Sequence, residues 1–297
     1  MNTGLGLPCI GEPFLFGEKM TEQRKYTRSF SQLSNYSKCG EMFRLERMVR
    51  PRLPQRPASW LAGGIAIQSA ADDWETTGRK YDLGGMFEEY YWREIDKLKE
   101  EQPDLSYWIK PPRTKTVEND IQNRLDKGKK DWVPNYLAYA DDGEWEIWTD
   151  PFGDPAIELE CTWTFPSGVT INMAIDRILY WPNANICTIE DLKSGNRIDD
   201  PRQLGLYLFV ANKLFEEFLP APIEHARFWY FKDGAAGEWE TPVRWTEEYL
   251  DAEYSALDRG IQNKVFIASP SSDNCGLCSV KEWCRLKGYL KEGEALK

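Results

Sequence analysis

The hydrophobic positions of this chain follow two periods, and the period changes near residue 144. Upstream the spacing is helical. Phe30, Leu33, Tyr36 and Phe43 fall close to one side of a helix that Thr27 or Ser29 can cap, and Pro51, Pro54 and Pro57 stop it at about Arg50. A second helix is predicted over 60–77. Residues 82–140 predict two or three more, rich in Trp, Tyr and charge and broken at Pro103 and at Pro111 and Pro112. They read as a helical lobe or insertion. Residues 1–23 read as an irregular lead.

Downstream the period becomes two. Val169, Ile171, Met173 and Ile175 alternate, so an extended chain sends them to one face and Asn172, Ala174 and Asp176 to the other. Strands are predicted over 144–148, 156–165 and 169–181, with Pro166, Ser167 and Gly168 as a tight connection. A short apolar strand over 186–193 ends in charge. A helix follows over 201–218, capped by Asp199 or Asp200 with Pro201 in its first turn. Strands over 225–231 and 238–243 and a helix over 246–264 complete the order. Helices, three strands, then strand, helix and strand specify an α/β sheet with helices around it.

At 297 residues the chain can bury the core of one large domain or two small ones. No apolar run approaches the length of a membrane span, and residues 1–20 lack the basic head and apolar core of a secretory leader. The expected compartment is the cytoplasm, where thiols stay reduced. The seven cysteines then read as ligands and core thiols rather than disulfides.

The net charge of -11 argues against nucleic acid only until its distribution is considered. From Arg24 to Arg56 the balance is +7, and Tyr26, Phe30, Tyr36 and Phe43 lie among the cations. Residues 110–130 carry +4, whereas 141–160 hold eight acids and no base. Two basic segments on an acidic body can make local phosphate contacts, although a solvated helix face explains any one run more simply.

The candidate chemistry lies on two adjacent strands. Asp191 and Lys193 are two apart and so share a face at the end of the fourth strand, and Asp176 sits on the strand before it. Two carboxylates so placed can hold Mg²⁺ or Mn²⁺ through oxygen, and a nearby ammonium can orient a water or stabilise charge developing on phosphate. Asp-x-Lys by itself is more often a solvated pair.

The surrounding residues narrow the reading. Ile189-Glu190-Asp191-Leu192-Lys193-Ser194-Gly195 resembles motif III of the PD-(D/E)XK nucleases, and of their RecB-like branch in particular. Ala174-Ile175-Asp176-Arg177-Ile178 is similar to that branch's Gly-x-Ile-Asp-Arg-Ile strand, and Gln203-Leu204-Gly205-Leu206-Tyr207 to its Gln-x-x-x-Tyr helix. The resemblance implies a restriction-endonuclease-like core, a mixed central sheet flanked by helices, with Asp176 and Asp191 as metal ligands. It implies Lys193 beside the ion, with Gln203 and Tyr207 aimed at the site and the DNA strand. Glu160 stands where the branch often carries a further acid. The branch also has Gly-x-x-x-His-x-x-x-Glu on an early helix. Here Gly64 is followed by Gln68 and Asp72, so Gln68 occupies the place of a metal-binding His. A neutral amide oxygen suits Mg²⁺ better than a softer metal. His225, the one histidine of the chain, reads as a packed core residue.

Near the C-terminus Cys275, Cys278 and Cys284 form a C-x2-C-x5-C pattern. A structural zinc site needs four ligands, and the fourth could come from Cys9, Cys39, Cys161 or Cys187; Cys161 and Cys187, on strands, read as core thiols. The iron–sulfur members of the RecB-like branch, AddB-type subunits and CRISPR-associated exonucleases, have one cysteine before the nuclease motifs and this triplet after them. That resemblance implies a [4Fe–4S] cluster on Cys39, Cys275, Cys278 and Cys284, stapling the two ends of the chain. A zinc site is the alternative. The chain reads as one nuclease domain over 1–297, with the helical lobe at about 82–140, a nuclease core at about 144–243 and a cluster segment at 265–290 with Cys39.

The expected protein is therefore a metal-dependent DNA exonuclease acting at single-stranded ends, in recombination, repair, or phage or CRISPR DNA processing. A helicase or recombination protein is a possible partner of such an enzyme. The rival from another class is a non-cutting scaffold on the same fold that binds DNA or a partner, and a third reading is a zinc-stapled regulatory domain.

Overall fold

The computed structural model describes residues 27–150, 152–195 and 200–286. The lead over 1–23, Cys9 and the alternative cap Asp199 lie outside them.

The chain enters through a short strand, β1 (Thr27–Ser29), before the first helix, α1 (Phe30–Lys38), which Ser29 caps by accepting the Gln32 N–H. The long helix predicted to Arg50 is instead broken at Cys39. Cys39 is extended, at φ -159° and ψ 104°, and α2 (Gly40–Phe43) begins after it and runs into a wide turn over Arg44–Met48. Gly40 is a physical reason for the break. A Cβ there would lie 2.8 Å from the Ile267 backbone nitrogen, so glycine lets the closing segment of the chain lie directly on the helix start.

Four helices follow: α3 (Ser59–Thr76), α4 (Leu83–Glu101), α5 (Val117–Lys127) and α6 (Val133–Asp142). The segment read as a lobe thus holds three helices, and these share a buried core with the sheet. Phe87, Tyr91, Trp132 and Tyr136 pack in one cluster with Leu179, Leu192, Trp229 and Phe231.

The sheet strands are β2 (Glu146–Ile147), β3 (Ile157–Thr164), β4 (Thr170–Trp181), β5 (Ile186–Lys193), β6 (Ile223–Tyr230) and β7 (Ala235–Ala236). Its order is β1-β4-β5-β6-β7, with β2 and β3 also paired to β4. The β1–β4 and β5–β6 pairs are parallel and the rest antiparallel, so the sheet is mixed as expected. Between β5 and β6 runs α7 (Pro201–Phe215), and α8 (Glu247–Gln262) and α9 (Ser272–Gly276) follow. Asp200 caps α7 through the Arg202 N–H, and Thr246 caps α8 through the Tyr249 N–H.

The strand predicted over 238–243 does not form. Among these residues a single bridge joins Glu240 to Ala226, and Pro242–Arg244 is a 3₁₀ turn, because proline cannot donate to a ladder. His225 is consequently half-buried rather than packed in the core, with Trp239 of that loop 5.5 Å away, centroid to centroid.

Two cores cover the two faces of the sheet. Leu33, Ile171, Ile175, Ile189, Leu206 and Leu250 belong to one, on the side of α1, α7 and α8. The other lies under α3–α6. Ile175 and Ile178 belong to the first core and Leu179 to the second. Strict alternation therefore slips by one residue within 175–178, the stretch that contains Asp176.

Candidate active site

The site forms where two strands part. The β4–β5 ladder ends at the pair Arg177 and Glu190, whereas β5 continues against β6 as far as Lys193 and Tyr230. In this fork the Asp176 Oδ2 accepts the Leu192 backbone N–H at 2.7 Å, standing in for the missing ladder acceptor. Asp191 and Lys193 share a side of β5, and the ammonium pairs with the Asp191 carboxylate. Asp191 is fully buried, and apart from the Lys193 ammonium its oxygens meet no hydrogen-bond donor among the described residues.

The last rung is itself an ion pair. Arg177 Nη2 donates to Glu190 Oε2 at 2.7 Å, Arg227 Nε donates to Glu190 Oε1 at 2.7 Å, and the Tyr139 hydroxyl donates to the same carboxylate at 2.8 Å. Arg177 also donates to the Tyr136 hydroxyl at 2.6 Å. Each member of the rung is covalently next to an acid of the fork, so the network fixes where Asp176 and Asp191 stand.

Glu158, which the sequence reading passed over, comes from β3. Its φ of 49° lies in the left-handed region, which costs a side-chain-bearing residue about 1–3 kcal/mol. Its carboxylate accepts the side-chain N–H of Gln68, on α3, at 2.6 Å. Gly64 allows α3 to come this close: a Cβ there would lie 2.8 Å from Ser194 Oγ. Glu160 lines the same cleft, but Glu158 is the acid tied to Gln68 and within electrostatic reach of Asp191 and Lys193. The run Ile157-Glu158-Leu159-Glu160 places both acids on one side of a strand, so alternation named either; contact with α3 distinguishes them.

The electrostatics follow from crowding and burial. Burial pushes the Asp176 carboxyl well above the usual carboxylate range, and the Asp191 charge pushes it further. Burial raises Asp191 despite Lys193, and raises Glu158 despite Gln68. Asp72, one turn beyond Gln68, is pushed up to about 7 by burial and then by Glu158. For Lys193 burial opposes the charge, but the Asp191 and Asp176 carboxylates outweigh it and hold the ammonium above the usual lysine value. Several buried carboxylates against one ammonium can all ionise only if more positive charge arrives, and a hard divalent ion with oxygen ligands is the group that fits.

Gln203 and Tyr207 lie on one face of α7, and Gln203 Nε2 donates to the Tyr207 hydroxyl at 2.9 Å. Burial, and after it Asp191 and Asp176, keep that hydroxyl protonated. All the predicted catalytic and metal-binding residues except Asp191 line one cleft of about 690 Å³, and Asp191 sits beneath it, paired with Lys193. Ser31, Ser34 and Lys38 of α1 form another wall.

The four predicted cysteines also come together. Cys39, Cys275, Cys278 and Cys284 line one cavity with Met42, Leu45 and Pro270. Ser269 N–H lies 3.5 Å from Cys39 Sγ, and the Asn274 side chain donates to the Lys38 carbonyl at 3.2 Å, so the closing segment is fastened to the break in the first helix. Burial pushes the Cys278 thiol up to about 11. Cys161 and Cys187 are buried core thiols. Among the described residues, no three His, Cys, Asp or Glu side chains close on one point as ligands of a single ion. Nor is any helix among them long and apolar enough to cross a membrane.

Comparison with known proteins gives a consistent picture. The family model for the PD-(D/E)XK nuclease superfamily matches residues 27–285. The chain is similar to the Gene 69 protein of Mycobacterium phage D29, at 29% identity over 275 residues, covering 89% of this chain and 98% of that protein. It is also similar to the Gene 69 protein of Mycobacterium phage L5, at 28% identity over 289 residues, covering 86% and 95%.

Proposed function

The chain belongs to the PD-(D/E)XK nuclease superfamily, and on that footing we propose that it is a metal-dependent deoxyribonuclease of the RecB-like iron–sulfur branch, an exonuclease that digests DNA from single-stranded ends. Nucleases of this superfamily typically use Mg²⁺ or Mn²⁺. The observation that carries the proposal is the fork: a fully buried carboxylate, Asp191, whose one partner is the Lys193 ammonium, beside a second buried carboxylate, Asp176.

Asp176 and Asp191 hold the divalent ion in this reading, with Gln68 adjoining through its amide oxygen and Glu158 fixed by the amide N–H. A bound ion supplies Lewis-acid polarisation of the phosphodiester and a more acidic water. Lys193 acts as a cation. It stabilises negative charge growing on the phosphoryl oxygens and positions the attacking water. Gln203 orients the Tyr207 hydroxyl, which remains a donor toward the DNA strand. Lys38 of α1, which lines the cleft, faces the phosphates of the same strand.

In this reading the four thiols that line one cavity hold a [4Fe–4S] cluster, and a zinc ion is the alternative. In this reading the cluster staples α1 to the end of the chain. Protein purified anaerobically should carry about four irons and a broad visible absorbance, and stoichiometric zinc instead would refute the cluster.

The phage origin of the two relatives favours phage DNA processing among the candidate pathways, with a helicase or recombination protein as the partner. Exonuclease action is tested with Mn²⁺ on linear and circular single-stranded DNA of the same sequence. The linear form should be degraded and the circle spared; equal cutting of both would make the enzyme an endonuclease.

A second reading is favoured by one residue. Gln68, engaged with Glu158, supplies no imidazole. If that weakens metal binding enough, the fold serves as a DNA-binding or partner-binding scaffold.

A further inference from the structure

Beside the fork, one helix face is apolar and uncovered among the described residues. Trp60, Leu61, Gly64, Ile65 and Gln68 share a side of α3, while Ala62, Ala66 and Ala70 are packed in the core. Leu61 and Ile65, one turn apart, are 55% and 52% exposed. The stripe climbs from Leu61 to Gln68, about 10 Å along the axis, and ends in the site. A groove of about 350 Å³ runs along it and shares both Gln68 and Lys193 with the catalytic cleft.

The groove meets cations where it leaves the site. Arg124 of α5 lines it, as does Phe231. Lys127, nearly one turn beyond Arg124, lies near both Arg124 and Lys232, the residue after Phe231, while Asp131 and Asp233 also lie near Lys127 and Asp120 pairs with Arg124 at 4.0 Å. Gly63 permits this packing: a Cβ there would lie 3.0 Å from the Arg124 side chain.

Apolar side chains in a row and cations beside them match the two halves of a nucleotide. We propose that this groove binds an unpaired nucleotide of the DNA strand next to the scissile phosphate, its base lying on Leu61 and Ile65 and its phosphate facing Arg124, Lys127 and Lys232. In a double helix the base faces are stacked on one another and cannot reach such a surface. The groove therefore selects single-stranded DNA on this side of the cut. The inference rests on the nuclease reading of the fork, which supplies the scissile phosphate.

The test uses the full chain, with a chelator present so that nothing is cut, and a short fluorescein-labelled oligothymidylate. Leu61→Ser with Ile65→Ser should weaken its binding about tenfold and leave a duplex of the same length little affected. Lys127→Gln should lower the slope of log affinity against log salt by about 0.7, the share of one phosphate on a single strand. Unchanged binding of the oligothymidylate by the double variant overturns the proposal, as does an equal loss for the duplex. Should the double variant prove poorly folded by thermal unfolding, Ile65→Trp, which enlarges the apolar face, must tighten single-strand binding, and its failure to do so also overturns the proposal. Failure of the nuclease reading would appear separately, as absence of cutting by the unaltered protein when metal is supplied.

Discussion

Arg177→Ala is expected to destabilise the protein by about 3–5 kcal/mol and to abolish cutting with it. Arg177 is 1% exposed and Glu190 fully buried, and they form the last rung between β4 and β5. Removing the guanidinium leaves the Glu190 carboxylate with Arg227 and Tyr139 alone, and strips the aromatic box of Tyr136, Tyr139 and Trp145 of the cation it surrounds at 5.3–5.6 Å. The loss reaches the site because Arg177 is joined to Asp176 and Glu190 to Asp191. Urea unfolding followed by tryptophan fluorescence measures the effect. Replacing both partners, Arg177→Met with Glu190→Met, should cost clearly less than the two single replacements added together, since the buried pair is then removed as a unit, even though Arg227 loses its carboxylate partner. A double variant as unstable as the sum of the two singles would mean that the pair is not a coupled unit.

Much of this site was legible in the sequence because it depends on local period. Alternation over 169–175 predicts β4, the spacing of two in Asp191-x-Lys193 predicts their shared side, and the spacing of four in Gln203 and Tyr207 predicts theirs. The cap and first turn of α7 follow from Asp200-Pro201. What escaped depends on distant contacts. The break at Cys39 arises because the main chain near Ile267 lies on Gly40, more than two hundred residues away in sequence. Glu158 rather than Glu160 joins the fork because α3 reaches that end of β3, and no local pattern reports where a helix lands. The region 82–140 offered no motif, since its contribution is packing: Trp132 and Tyr136 complete a core with Trp229 and Phe231. Residues 238–243 have strand-like spacing, but Pro242 limits them to a bridge and a turn. The exposed stripe of Leu61 and Ile65 resembles any amphipathic face until the groove beside it is known.

Lys193→Ala is expected to reduce cutting by about 10³-fold, the scale on which one preorganised charge at a transition state acts. The side chain is 36% exposed, its ammonium is paired with Asp191, and Asp176 and Glu158 are near enough to add to its charge. Its loss leaves the carboxylates of the fork and therefore the proposed metal ligands. The variant should thus still gain thermal stability when Mn²⁺ is added, as expected for an ion that binds the folded state, by about 2.7 kcal/mol at a hundredfold excess over its dissociation constant. Asp191→Asn, by contrast, should lose both the cutting and the Mn²⁺-dependent gain. The contrast separates a charge used on the substrate from one used on the metal.

The most direct test of the central claim is digestion of end-labelled single-stranded DNA by the iron-loaded protein with Mg²⁺ and with Mn²⁺, natural chain against Lys193→Ala. The account predicts cutting by the natural chain with at least one of the two metals and almost none by the variant. Equal cutting by both proteins would place the activity elsewhere, and no cutting by the natural chain with either metal would contradict the nuclease reading in favour of the scaffold.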